Sequence, residues 1–231
     1  MSRLRQLIFC LAISGSFVPA RAQTAAEFRP ELGIYLQEAD FIRMEFIDLA
    51  SDNQRTREWQ GNFAYYIDAA LKPVLRRNLR EHPDVYRDRY LTSRVGYLYR
   101  TGLNNGNSSS GNIGIVEVTS RYQVPWRFVL VDRNRGEFRF IKGQPFNTRY
   151  RNRFRVEHDI KRGRFVCTPY AYDEIFFDTR YGRWTPNRYA LGVEVPASPH
   201  MVFDLYYIRQ NGSFSNPPHL NIFGFKWNLY F

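Results

Sequence analysis

Cysteine is almost missing from this chain, with two among 231 residues, Cys10 and Cys167. Cys10 sits inside an apolar stretch near the N-terminus and follows the bulky Phe9, which argues against a lipoprotein site. If that stretch is cleaved, Cys167 remains alone and an intramolecular disulfide is excluded. Histidine is nearly as scarce: His82, His158, His200 and His219 are scattered, with no H-E-x-x-H or other ligand spacing, so neither a metal nor another cofactor is expected. The serine-rich run Gly106-Asn107-Ser108-Ser109-Ser110-Gly111 is not a G-x-S-x-G elbow and reads as a flexible loop. No apolar run after Val18 is long enough for a spanning helix, and the mean hydropathy is −0.49. That excludes helical membrane proteins but not barrels, whose strands need only about 9–11 residues and turn half of them inward.

An export signal is present. Arg3 and Arg5 form a basic start, Leu7 to Val18 an apolar core of 12 residues, and Ala20-Arg21-Ala22 a small-x-small cleavage site, so residues 1–22 are expected to be removed. At the other end Phe223, Phe225, Trp227, Leu229 and Phe231 share one strand face, opposite Gly224, Lys226, Asn228 and Tyr230. One apolar, aromatic face and one polar face suit a strand standing between lipid and a polar lumen. Aromatic residues make up 17% of the chain, enough to furnish such faces repeatedly.

Alternation predicts ten spanning strands, at about 40–50, 59–71, 91–99, 116–122, 127–141, 148–160, 165–177, 188–195, 201–210 and 220–231. The fold class is therefore all-β: a single antiparallel transmembrane barrel with a polar, Arg-rich lumen, twelve strands being the alternative. With the C-terminus on the periplasmic side, the longer connections 51–57, 102–111, 142–147, 178–187 and 211–219 fall outside, and short ones at 124–126, 161–164 and 196–200 fall inside. The exception is 72–87, which reads as one or two helical turns ending before Pro83. Residues 40–231 form the barrel; within 23–39, Leu32, Ile34 and Leu36 alternate well, but an eleventh strand conflicts with the even strand number of bacterial barrels, so this segment is either an extra strand or a lumen insert.

Six aromatics, Trp59, Tyr99, Tyr150, Phe177, Tyr189 and Tyr207, fall on apolar faces at outer strand ends, as an interfacial girdle requires. The net charge is +11, or +8 without Arg3, Arg5 and Arg21, and 29 of the 33 basic residues are arginine. Interleaving of Arg with Glu and Asp along strands argues against nucleic acid and for a buried polar network, because the planar guanidinium pairs bidentately with carboxylates. Arg149, Arg151, Arg153 and Arg155 alternate up one strand with Glu157 below them. Arg133, Arg135, Glu137 and Glu174 on flanking strands are placed to interleave with them, as a filling rather than an open pore in so narrow a barrel. The alternative is an Arg-lined passage for small anions.

The stretches Asp132-Arg133-Asn134-Arg135-Gly136-Glu137, Tyr150-Arg151-Asn152-Arg153, Pro169-Tyr170 with Glu174, and Arg188-Tyr189-Ala190-Leu191-Gly192 resemble a domain-of-unknown-function family of small Gram-negative outer-membrane barrels. The resemblance implies the cell outer membrane as location and a barrel as fold, and supplies no catalytic residue. Trp227, Leu229 and Phe231 resemble the terminal signal read by the barrel-assembly machinery. The remaining expected partners are outer-membrane lipid and lipopolysaccharide, whose phosphates Arg180 and Arg183 in an outer loop could meet. The expected function is structural or the passage of small, anionic solutes. One alternative is an outer-membrane hydrolase using Asp173, Glu174 or Asp178; another is a secreted soluble ligand-binding barrel with Arg149 to Arg155 on its outside.

Overall fold

The computed structural model describes residues 24–53, 58–74, 83–103, 110–163, 165–211 and 219–231. The signal at 1–22, including Ala20 and Ala22, lies outside them, as do His82 and the stretch 76–82 expected to be helical.

The described chain is almost entirely strand: β1 (Thr24–Ala39), β2 (Ile42–Asn53), β3 (Glu58–Val74), β4 (Arg89–Gly102), β5 (Gly111–Gln123), β6 (Phe128–Ile141), β7 (Asn147–His158), β8 (Ile160–Arg162), β9 (Phe165–Asp178), β10 (Arg183–Ser198), β11 (Met201–Asn211) and β12 (His219–Tyr230). A 3-10 turn, Val85–Asp88, precedes β4. Each strand pairs with its neighbour in order, β8 is a short continuation of β7 across Asp159, and β1 closes the ring against β12.

Eleven strands thus form the wall, which corrects the expected ten and the alternative twelve. Of the segment 23–39, the described residues 24–39 are not a lumen insert but an extra wall strand. Its partner explains why parity failed: β1 runs parallel to β12, with Ile34 opposite Leu229 and Tyr35 opposite Tyr230. When every consecutive pair is antiparallel, an odd ring closes only if its first and last strands run the same way. The barrel is therefore mixed at one seam and antiparallel elsewhere.

Two rims result. One carries the strand ends at Asn53 and Glu58, Gly102 and Gly111, Ile141 and Asn147, Asp178 and Arg183, and Asn211 and His219, and the other carries those at Ala39 and Ile42, Val74 and Arg89, Gln123 and Phe128, Arg162 and Phe165, and Ser198 and Met201, together with Phe231. These are called the loop rim and the turn rim. The C-terminal residue is tied down at the turn rim, its N–H donating to the Tyr35 carbonyl (2.9 Å) and its carbonyl accepting from the Gln37 N–H (2.8 Å).

Alternation decides sidedness. Outward positions hold large apolar side chains left bare, such as Phe140 (57% exposed), Leu191 (56%) and Val95 (55%). Inward positions hold the charged ones, with Glu174 and Asp178 wholly buried. Among the described residues, buried apolar side chains inside form two clusters, one of Tyr170, Tyr172, Ala190, Ile208 and Ile222, the other of Ala64, Tyr66, Ile113 and Ile115, with others such as Val129, Val202 and Phe176 outside them.

Candidate functional site: the charged lumen

Period-2 alternation on β6, β7, β9 and β10 sends Arg133, Arg135, Glu137, Arg149, Arg151, Arg153, Arg155, Glu157 and Glu174 to one interior. The structure brings all nine together. Their centre is Glu174, whose carboxylate accepts from Arg133 (2.7 Å), Arg151 (2.9 and 3.0 Å) and Arg153 (3.1 Å), and meets Arg188 at 3.4 Å. Arg151 also reaches Glu137 (2.8 Å), and Arg155 bridges Glu157 (3.0 Å) and Glu194 (2.6 Å). Nearer the loop rim Asp178 holds Arg149 (2.7 Å) and Arg139 (3.3 Å), and Glu117 holds Arg135 at 2.6 Å.

A second network on the opposite wall had no counterpart in the sequence reading. Arg43 pairs with Asp68 (2.7 Å) and Arg94 with Asp68 (2.6 Å) and Glu45. Alternation along β2 and β3 puts Glu45 and Asp68 on the lumen face, and the register joins them to arginines on other strands.

The 3-10 turn crosses between the two networks at the turn rim. Arg43 holds Asp84 (2.6 Å) and lies over the Tyr86 ring, 4.1 Å from its centroid. Arg87 reaches the far wall, at 2.9 Å from Glu194, 3.1 Å from Glu157 and 3.7 Å from Asp159. Tyr86 and Arg87 are both buried. Burial pushes the Tyr86 hydroxyl up from its ordinary value, whereas for Arg87 burial acts downward and is outweighed by Glu157 and Glu194, so that its pKa is raised.

Between the networks lies a polar cavity of about 470 Å³, lined by residues of both walls. Two of its arginines find no carboxylate within ion-pair distance among the described residues: Arg100 donates to Asn62 (3.0 Å) and Arg121 to Thr92 (3.2 Å).

Three inward tyrosines lie across glycines of the adjacent strand: Tyr66 over Gly96, Tyr170 over Gly192 and Tyr206 over Gly224. A guanidinium covers two of these rings from above, Arg94 at 4.5 Å from the Tyr66 centroid and Arg155 at 3.8 Å from that of Tyr170. Glycine is required because a Cβ at Gly192 would overlap the Tyr170 ring, which is pinned by its hydroxyl bond to Asp204 (2.9 Å). Gly192→Ala is expected to cost about 1–3 kcal/mol, whereas Gly114→Ala, whose Cβ would only touch Phe138 at 3.7 Å, is expected to be silent. Thermal unfolding of the two variants checks this.

The other sequence-derived residues are distributed as follows. Trp59, Tyr99, Tyr150, Phe177, Tyr189 and Tyr207 stand on outward faces, and Trp184, absent from that set, joins Tyr150 (6.1 Å) and Phe177 (5.5 Å) edge to face. Its place opposite Phe177 depends on a register shift after Thr185 that alternation does not reveal. Trp227, Leu229 and Phe231 are outward at the turn rim. Arg180, in a loop-rim turn, donates to Gln144 (2.8 Å). Asp173, Glu174 and Asp178 do not converge, since Glu174 and Asp178 point inward to arginines while Asp173 is outward and accepts from Asn187 (3.1 Å). Among the described residues no group of three or more His, Cys, Asp or Glu could hold a metal ion.

Comparison with curated proteins and with solved structures finds no match to this chain. A family model does match, over residues 50–221, which takes in the wall from the end of β2 into β12 and both lumen networks except the Arg43 and Glu45 side chains. With that span of a barrel whose interior is cross-braced by arginine, the chain belongs to the family described as protein of unknown function (DUF2490).

Proposed function

We propose that the protein spans the outer membrane of a Gram-negative bacterium as a closed, structural barrel. Its sidedness carries the reading: the wall is apolar and bare outside and ion-paired inside, the reverse of a soluble ligand-binding barrel, which buries its apolar faces. The outward aromatics near the loop rim support placement at a lipid interface, and Arg180 in the adjoining turn is available to lipopolysaccharide phosphates. The ion pairs of Glu174 and Arg87 across the lumen support a closed rather than an open barrel. Electrophoresis of the outer-membrane fraction, unboiled against boiled, tests the location; recovery in the soluble periplasm without a mobility shift would overturn it.

A second reading, passage of small anions, is favoured by Arg100 and Arg121, which line the cavity without a carboxylate within ion-pair distance among the described residues. Conductance in planar bilayers separates the two, since a closed barrel gives no steady anion-selective current.

Phe231 is proposed as the residue read by the barrel-assembly machinery. Its side chain is 64% exposed while its backbone is bonded to β1, so Phe231→Ala should lower the amount of barrel inserted yet leave the unfolding temperature of what does insert unchanged. A lowered unfolding temperature would instead assign Phe231 a packing role.

A further inference from the structure

Charge is unevenly shared along the lumen. At and around the level of Glu174, Arg133, Arg135, Arg151, Arg153 and Arg188 share Glu117, Glu137 and Glu174, five cations to three carboxylates. Two of the cross-strand pairs there are of like charge, Arg133 opposite Arg153 and Arg135 opposite Arg151 on β6 and β7, an arrangement that repels. Nearer the loop rim Arg29, Arg100, Arg139 and Arg149 have Glu27, Glu31 and Asp178. Arg139 and Arg149 hold the same Asp178 oxygen, at 3.3 and 2.7 Å, and Arg100 has the Asn62 amide oxygen in place of a carboxylate among the described residues. The sequence joining the strand ends of this rim makes up none of the deficit. Residues 54–57, 103–110, 142–146, 179–182 and 212–218 contain Arg55, Arg57, Lys142 and Arg180 and no aspartate or glutamate. Toward the turn rim the described residues carry no such excess, since Arg43, Arg87, Arg94 and Arg155 have Glu45, Asp68, Asp84, Glu157, Asp159 and Glu194 to share, and Arg121 lies in the field of Asp84 and Glu157.

The surplus cations converge from several walls. Arg100 on β4 feels the charges of Arg29 on β1 and of Arg149 and Arg151 on β7, and Arg188 on β10 feels those of Arg29 and Arg151. All five line the cavity. They have donors to give, because a guanidinium carries five N–H groups: Arg100 commits its Nε to Asn62, and the Nε of Arg151 is buried without an acceptor among the described residues. Buried like charges with too few counter-charges are costly, and an anion drawn between them offsets that cost. Guanidinium forks that approach from four strands suit a tetrahedral oxyanion, which offers acceptors in every direction, better than a planar carboxylate.

We propose that the loop-rim half of the lumen binds a small multivalent oxyanion of the phosphate class, held between Arg29, Arg100, Arg149, Arg151 and Arg188. The site deepens the anion reading of the lumen and rests on it, but asks that the ion be held and not passed. The ion pairs of Arg87 at the turn rim support a pocket that is blind at that end.

Titration calorimetry of the full barrel folded in detergent, with inorganic phosphate added at constant ionic strength, is the test. Saturable binding at a single site is expected, with chloride unable to displace it. Arg100→Gln removes a cation that makes no ion pair among the described residues, so the heat-dependent mobility shift should persist while phosphate affinity falls about tenfold, as the loss of one charge-assisted hydrogen bond implies. Arg149→Gln should do the same, since Arg139 remains on Asp178. Arg209→Gln removes an equal charge from the exposed face of β11 near the same rim and should leave the affinity unchanged. Lipid A is too large for a cavity of about 470 Å³ and should not compete, and succinate should bind more weakly than phosphate. Absence of saturable binding, full affinity in both lumen variants, an equal loss in Arg209→Gln, displacement by lipid A or tighter binding of succinate would each overturn the site. Phosphate binding by a barrel that carries no current in planar bilayers supports the site and removes the passage reading; current without phosphate binding does the reverse.

Discussion

Replacing Glu174 by glutamine is expected to be the most damaging single change in the lumen. The side chain is wholly buried and serves four guanidinium groups, and two of these have no other carboxylate within ion-pair distance among the described residues: Arg153, stacked on Tyr172 at 4.0 Å, and Arg188, bonded to Gln210. The neutral amide of Glu174→Gln would keep the volume and one acceptor but leave these cations uncompensated. Removing one partner of a buried ion pair costs about 3–5 kcal/mol, because the remaining charge stays desolvated. Glu137→Gln is the matched control: Arg151 keeps Glu174 at 2.9 Å, so a smaller loss follows. The temperature at which the compact band converts to the extended one should fall steeply for Glu174→Gln and slightly for Glu137→Gln. Equal shifts would show that the network shares its charge diffusely and has no hub.

How much of this could be read from the sequence depends on how local the cause is. The alternation of Arg149, Arg151, Arg153 and Arg155 against Tyr150, Asn152, Phe154 and Val156 fixed which face is polar, because period 2 is a property of one strand. The strand predicted at 127–141 appears as Phe128–Ile141 for the same reason. The β1 strand was legible as alternation in Leu32, Ile34 and Leu36, yet not as wall, because its partner β12 lies at the other end of the chain and no hairpin signals a parallel pairing. Partners across the lumen were invisible for a related reason: which carboxylate Arg94 or Arg87 meets depends on barrel closure and stagger, which no single strand encodes.

Arg87→Ala is expected to open the turn rim. Among the described residues the segment Asp84–Asp88 is held by Arg43 on Asp84 and by Arg87 on the far-wall carboxylates Glu157, Glu194 and Asp159. Without the guanidinium, Glu157 and Glu194 keep Arg155 at 3.0 and 2.6 Å, and the turn loses the contacts that Arg87 makes with the far wall. The cost stays below the roughly 3–5 kcal/mol of a buried charge left wholly unpaired, because Arg155 remains, and it falls on the attachment of the turn. Planar-bilayer recordings should then show a quiet wild type and discrete conductance steps for Arg87→Ala, with Arg87→Lys in between because a single ammonium cannot span the same carboxylates. Arg151→Ala enlarges the cavity but leaves the turn anchored, so it should stay quiet. The pH arm has a definite sign. The pKa of Arg87 is raised in the folded protein by Glu157 and Glu194 against the effect of burial, so its contribution is complete below the unfolded-state value and is lost only as pH climbs through a still higher one. Moving from neutral to mildly alkaline buffer should therefore leave the wild type closed. Steps that appear there, or an Arg87→Ala barrel as quiet as the wild type, would mean that something other than this turn closes the lumen.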